Sequence, residues 1–473
     1  MSVGAPEARP APAVARHASR WLAVVALSAL VACAAPTALP VDAPALASLG
    51  GPATDASAAS APSAEPKVAV AVPPSAVRTD ADDPALREML ERVAGARGLP
   101  IKHRVRFATV DRDALLARAR HKLETEIPPG VLELQGESLK ALGLLPLDFD
   151  LAEGLLRLLQ GRVAGFYDPV DATMYLLDDL PASQEEETLA HELVHALQDQ
   201  SFAIGKLLAY RAGRSDEAAA QQLLIEGDAT SAMFDISVGS AFAIDEDQLE
   251  MAFQVSTALS DVGSTTPSIL RGSLVAPYTV GFRFVQELRR QGDFGAVDAA
   301  FRALPVSTEQ VLHPEKYAAR EPVVQVPTPT IAPLGEGFEE ALVDQNGELA
   351  LRLMFEEWLP RRAAIEAAAG WGGDRGVVAR RRGDDGSVEL AFALHTRMDT
   401  EPDAVEAVKA LELGLGKVCK ERSDLGPIRM RSSGRSVVIV AGPYKRVGAS
   451  YGSAGDCALA ERWARAILAQ AAR

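Results

Sequence analysis

The stretch SQEEETLAHELVHALQDQ, residues 183–200, decides how the chain is read. Ser183, with Glu186 three positions on, has the pattern of a capping box, and Glu185, Glu186 and Glu187 put negative charge at the positive end of a helix dipole. The spacing predicts a helix running to about Gln200. Within it, His191 and His195 stand four residues apart, so their imidazoles share one face and converge. Leu189, Ala190, Leu193, Val194, Ala196 and Leu197 make this helix apolar nearly all round, which predicts burial. Two buried imidazoles and a buried carboxylate need polar partners, and a divalent metal is one that serves all three. Neutral imidazoles are good zinc ligands, and Glu192 stands next to the first of them, placed to reach a water beside the ion without ligating it.

Zinc catalysis needs a third protein ligand. The residues after His195 are ALQDQS, so no third histidine follows at HExxHxxGxxH spacing. The next candidate is Glu226 in LLIEGDAT, residues 223–230, on a second predicted helix from Asp216 to about Val238. Its neighbours Leu223, Leu224 and Ile225 are apolar, unlike those of an ordinary solvated charge.

Over about Val163 to Thr230, with HELVHALQDQ and EGDAT as its most specific parts, the chain resembles the gluzincins, the thermolysin-like (peptidase MA-like) superfamily of HExxH…E zinc metallopeptidases. The resemblance implies Zn2+ held by His191, His195 and Glu226, with Glu192 as general base and a peptide or protein as substrate. It also implies an oxyanion-stabilising Tyr or His further on. Tyr278 in APYTVG, read as the start of a helix, and His313 in STEQVLHPEKY are the candidates. The strand Thr173–Leu177 is expected to line the cleft as an edge that pairs with an extended peptide. Asp199, four residues after His195, and Asp228, close behind Glu226, are candidates to orient the imidazoles. Thermolysin has its helper acid four residues after the ligand glutamate, where this chain has Thr230, so a distinct family is expected.

The N-terminus reads as an export signal. Arg16, His17 and Arg20 precede a short apolar run, Trp21 to Leu30, too short to span a bilayer. Leu30-Val31-Ala32-Cys33 resembles the lipobox of bacterial lipoproteins. That resemblance implies residues 1–33 as a signal peptide, lipid on the Cys33 thiol, and a chain anchored in the cell envelope, with Ala34 favouring the outer membrane facing the periplasm. Residues 34–82, as in GPATDASAASAPSAEPK, are too rich in Ala, Pro and Ser to build a core and read as a flexible linker. The three cysteines lack zinc-finger spacing. With Cys33 lipidated in an oxidising compartment, Cys419 and Cys457 are expected to pair.

The remaining pattern suggests an α+β fold: an α-rich zincin-like domain over 83–330 with a small β edge, then a smaller α+β domain over 335–473. In the first, helices are expected at 111–126, 131–143, 150–160, 249–260 and 280–290. GFYDPVDATMYLL, residues 165–177, reads as a hairpin turning at Asp168-Pro169-Val170-Asp171. In the second, Phe338–Ala369 reads as helix ending at GWGGDR (370–375), then ββαββα with helices on one face. A net charge of -16 argues against nucleic acid as a partner. Two other readings stay open: a zinc-binding envelope scaffold without turnover, and a zinc amidase acting on cell-wall linkages.

Overall fold

Asp83 opens the first helix, its carboxylate accepting from Ala85 N and Leu86 N at 3.1 Å each, and Gly98 closes it in the left-handed region. The computed structural model that contains these elements describes residues 77–471 except 161–163, 180–181 and 260–265, and describes the backbone alone at 160, 182–184 and 257–259. Cys33, the export signal, most of the linker and the Ser183 side chain lie outside what is described. Among the described residues no helix is long and apolar enough to cross a membrane.

The first lobe runs β1 (Arg78–Thr79), α1 (Pro84–Arg97), β2 (Arg106–Val110), α2 (Arg112–Glu126), α3 (Val131–Leu142), α4 (Leu151–Gln160), β3 (Gly165–Asp168), β4 (Thr173–Leu177), α5 (Ala182–Phe202), α6 (Ile204–Leu207), α7 (Ser215–Ser237), α8 (Glu246–Leu259), α9 (Ser268–Arg302), α10 (Thr308–Leu312) and α11 (Pro314–Ala319). β1 pairs with β2, so chain order begins a few residues before the expected boundary at 83. β3 and β4 form the expected hairpin. Its turn is held by Asp168, which accepts from Val170 N at 3.0 Å and is buried against Lys122 at 3.0 Å. The sheet order is β1-β2-β4-β3, with β4 parallel to β2 and antiparallel to β3. This corrects one expectation: Thr173–Leu177 is an interior strand, and the edge strand is β3.

α9 also departs from the sequence reading. It begins twelve residues before the expected Val280, so Tyr278 lies within it rather than at its start. Pro277 and Gly281 look like helix breakers, but burial against α7 outweighs them. A Cβ on Gly227 of α7 would lie 2.1 Å from Gly281 O, and one on Gly281 would lie 2.1 Å from Leu223 O. The two helices therefore cross backbone to backbone, and only glycine fits at the crossing.

The C-terminal part comprises β5 (Glu339–Asp344), α12 (Gly347–Glu356), α13 (Arg361–Ala368), β6 (Trp371–Arg382), β7 (Val388–Met398), α14 (Glu401–Gly414), β8 (Ile428–Ser433), β9 (Ser436–Val447), β10 (Ser450–Ser453) and α15 (Cys457–Ala471). The single helix expected over 338–369 is instead a strand and two helices. Gly347 at φ +86° turns the chain into α12, and Pro360 separates α12 from α13. WGGDR, residues 371–375, opens β6, so the expected helix stop is the start of a strand. Gly373 lets the preceding segment cross close by, since a Cβ there would lie 2.1 Å from Val324 O. The antiparallel order is β10-β9-β7-β6-β5, with β8 also on β9. Alternate residues face opposite ways, and both faces are covered. Val378, Phe392 and Ile439 pack towards α14, while Val377, Ala393 and Val440 pack towards Trp463 of α15. The expectation of helices on one face is thus overturned. Cys419 and Cys457 form a disulfide, though Cys419 lies beyond α14, which stops at Gly414.

The fold is α+β. One apolar cluster runs from Ala108, Leu134 and Leu155 through Leu342, Phe355 and Phe392, so the two parts share a core across residues 330–335.

Candidate metal centre

α5 and α7 bring the candidate ligands together, and both are buried through their middle turns. His191, Glu192, His195 and Gln198 of α5 and Glu226 and Asp228 of α7 are all 0 % exposed. His191 Nε2 lies 3.1 Å from His195 Nε2 and 3.2 Å from Glu226 Oε2, and His195 Nε2 lies 3.4 Å from Glu226 Oε1. One donor atom from each of the three residues therefore lies within 4.8 Å of the others. Two imidazole nitrogens and a carboxylate facing one point form a donor set suited to zinc, and Glu226 Oε1 makes no hydrogen bond among the described residues.

Burial pushes the His191 imidazole below its ordinary value despite the Glu226 carboxylate. Burial acts the same way on His195, but Glu226, with Glu192 and Gln198, outweighs it and raises that group to about 9. Glu226 is held low: burial would raise it, yet the facing imidazoles, His195 foremost, win. Glu192 is pushed up to about 8, chiefly by burial. Its Oε2 accepts from Tyr167 N of the edge strand β3 at 2.7 Å, while Oε1 has no hydrogen-bond partner among the described residues.

The groups around the candidate ligands differ from expectation. Asp199 does not reach an imidazole. It accepts from Tyr167 Oη at 3.1 Å and Gly205 N at 3.2 Å. His195 Nδ1 instead meets Gln198 Oε1 at 2.8 Å. Gln198 Nε2 donates to Ile225 O at 3.0 Å and Asp228 Oδ2 at 2.8 Å. Both of those can only accept, so the amide orientation is set and Nδ1 must donate to it. That leaves Nε2, the nitrogen facing Glu226, as the atom His195 can offer to a metal. Asp228 contributes through Gln198, and its other oxygen meets the fully buried Arg97 of α1 at 2.5 Å. Sequence reasoning missed Gln198 and Arg97. At three and four residues from His195, Gln198 and Asp199 are equivalent by helix spacing, and only the position of α7 separates them.

Of the two oxyanion candidates, Tyr278 lies at the cluster, its ring 5.9 Å from that of His191 and stacked on Phe253 of α8. His313 is engaged elsewhere: its Nε2 meets Glu348 at 2.8 Å, on the wall of a separate polar cavity.

A family model described as a domain of unknown function (DUF8575) matches residues 337–450, from just before β5 to the start of β10. No curated protein and no solved structure matches the chain. The match lies outside α5 and α7.

Proposed function

We propose that the chain is a zinc-dependent hydrolase, a metallopeptidase, with His191, His195 and Glu226 as metal ligands and Glu192 as general base. The observation that carries this reading is the convergence of two Nε2 atoms and one carboxylate on a single point beside a second buried glutamate. A bound zinc ion would supply Lewis acidity and bring a water's pKa towards neutrality. Glu192 Oε1 takes the water proton and returns it to the leaving amine. The Tyr167 N–H on Oε2 holds that carboxylate in place and keeps Oε1 towards the reaction. Gln198 keeps His195 in the tautomer that offers Nε2. Tyr278 is the better-placed donor for a developing oxyanion.

Two further parts of the reading stand on sequence: export, and tethering of the chain to the envelope through Cys33. The Cys419–Cys457 disulfide agrees with an oxidising compartment.

One observation favours a second reading, a metal-bearing scaffold without turnover. His191, Glu192, His195 and Glu226 have no exposure, and none of them lines the three principal cavities described. Glu192→Gln separates the two. Stoichiometric zinc with hydrolysis of casein or peptidoglycan reduced roughly 100-fold or more supports catalysis. A native enzyme that cleaves neither, with its zinc in place, supports the scaffold; cleavage of peptidoglycan alone points to an amidase.

A further inference from the structure

The most apolar of the described cavities, lined by none of His191, Glu192, His195 or Glu226, lies where α3, α7, α9 and α12 meet the β5–β7 face. Leu223, Leu270, Leu349, Leu353, Val378 and Phe392 form its apolar walls. Its volume is about 140 Å³. Engineered apolar cavities of about 150 Å³ take up benzene, so this space suits a molecule of that scale.

Its polar lining is what points to a ligand. Gln135 of α3 is 2 % exposed, and neither its amide oxygen nor its amide nitrogen has a hydrogen-bond partner among the described residues. Gln222 of α7, 1 % exposed, leaves its Nε2 equally unpaired. Both side chains line this cavity. Burying an amide with no partner is costly, and native interiors rarely contain one. Two on the wall of one apolar space amount to a donor–acceptor pair and an extra donor, offered to whatever enters.

The charge of the lining narrows the chemistry. No lysine, arginine or histidine is among the described lining residues, so nothing there neutralises an anion. The one acid, Asp344, is buried and pushed up to about 7 by that burial, so a carboxylate ligand would meet a second acid group in place of a cation. A head group that both donates and accepts, as Gln135 does, is the complement.

We infer that this cavity is a binding site for a neutral, largely apolar small molecule bearing an amide-type head group, with Gln135 and Gln222 as its hydrogen-bond partners. The inference does not rest on the metal reading.

Benzamide, benzoate and toluene, titrated into the purified full-length protein by ligand-observed NMR and calorimetry, test it. Benzamide is expected to saturate one site, and benzoate to bind at least about tenfold more weakly, the effect of one lost or opposed hydrogen bond. Gln135→Leu and Gln222→Leu should each weaken benzamide by about the same factor while toluene binding is kept. If either variant does not fold, Ala350→Leu, which fills the space from α12, should abolish binding of all three probes. Equal affinity for benzamide and benzoate, benzamide binding unchanged in the folded variants, or no saturable binding of any probe would overturn the proposal.

Discussion

Gln198→Leu probes the least obvious part of the proposed metal centre. Leucine nearly matches glutamine in volume, so packing is largely kept while three buried hydrogen bonds go: 2.8 Å to His195 Nδ1, 3.0 Å to Ile225 O and 2.8 Å to Asp228 Oδ2. The two neutral bonds contribute about 1 kcal/mol each and the one to the carboxylate about 1.5–3 kcal/mol, so a stability loss of roughly 3–5 kcal/mol is expected. Without an acceptor at Nδ1 the imidazole can turn or change tautomer, and outer-shell losses of this kind lower metal affinity by about 10–100-fold. That is about 1.4–2.7 kcal/mol of binding free energy. Competition with a chromophoric zinc chelator measures the affinity, and urea unfolding of the metal-free protein measures stability. Asp199→Asn is the control, because its carboxylate reaches Tyr167 and Gly205 and no imidazole. Zinc affinity within twofold of native in Gln198→Leu, with His195→Ala losing the metal, would refute the argument. A larger loss in Asp199→Asn than in Gln198→Leu would refute it equally.

Gly281→Ala forces a methyl group to within 2.1 Å of Leu223 O, so it should lower stability by at least the roughly 1–3 kcal/mol of ordinary overpacking and weaken zinc binding by displacing α7. Gly295→Ala, just beyond the break in α9 at Gly292–Asp293, meets nothing within 4 Å and should be neutral or slightly stabilising, as thermal melts will report. Burial raises Asp216 to about 8 and Asp344 to about 7 from an ordinary 3.8. Acids that hold their protons more tightly in the folded state give stability that is complete below about pH 4 and lost as pH climbs through 7–8, with about 1.4 kcal/mol for each tenfold gain in proton affinity. The urea midpoint of metal-free protein should therefore fall between pH 5 and pH 8, and Asp216→Asn or Asp344→Asn should flatten the fall. A midpoint that rises over this interval contradicts it.

Much of this architecture was legible locally. The Asp-Pro-Val-Asp turn acts within a few residues of itself, and so does the Asp111 cap of the helix expected from 111, so the hairpin and that helix start follow without tertiary information. The longer elements were harder to read. Phe338–Ala369 has a helical composition, yet its first six-residue strand is set by pairing with β6, a partner far along the chain. Tyr278 and Pro277 fall within a helix because burial against α7 outweighs the cost of a proline. The capping motif at Ser183 falls on a side chain outside those described.

By itself, the sequence determined which side chains share a helix face. His191 and His195 had to converge because four residues make about one turn, and Glu192 had to stand beside them. Only the tertiary structure decided what those side chains meet. Whether Glu226 arrives at the imidazoles, whether Gln198 or Asp199 holds His195, and whether β3 or β4 ends the sheet all depend on how separate elements pack. Packing between elements is set by complementary surfaces and close backbone approach, such as the Gly227–Gly281 crossing, and not by spacing along one segment.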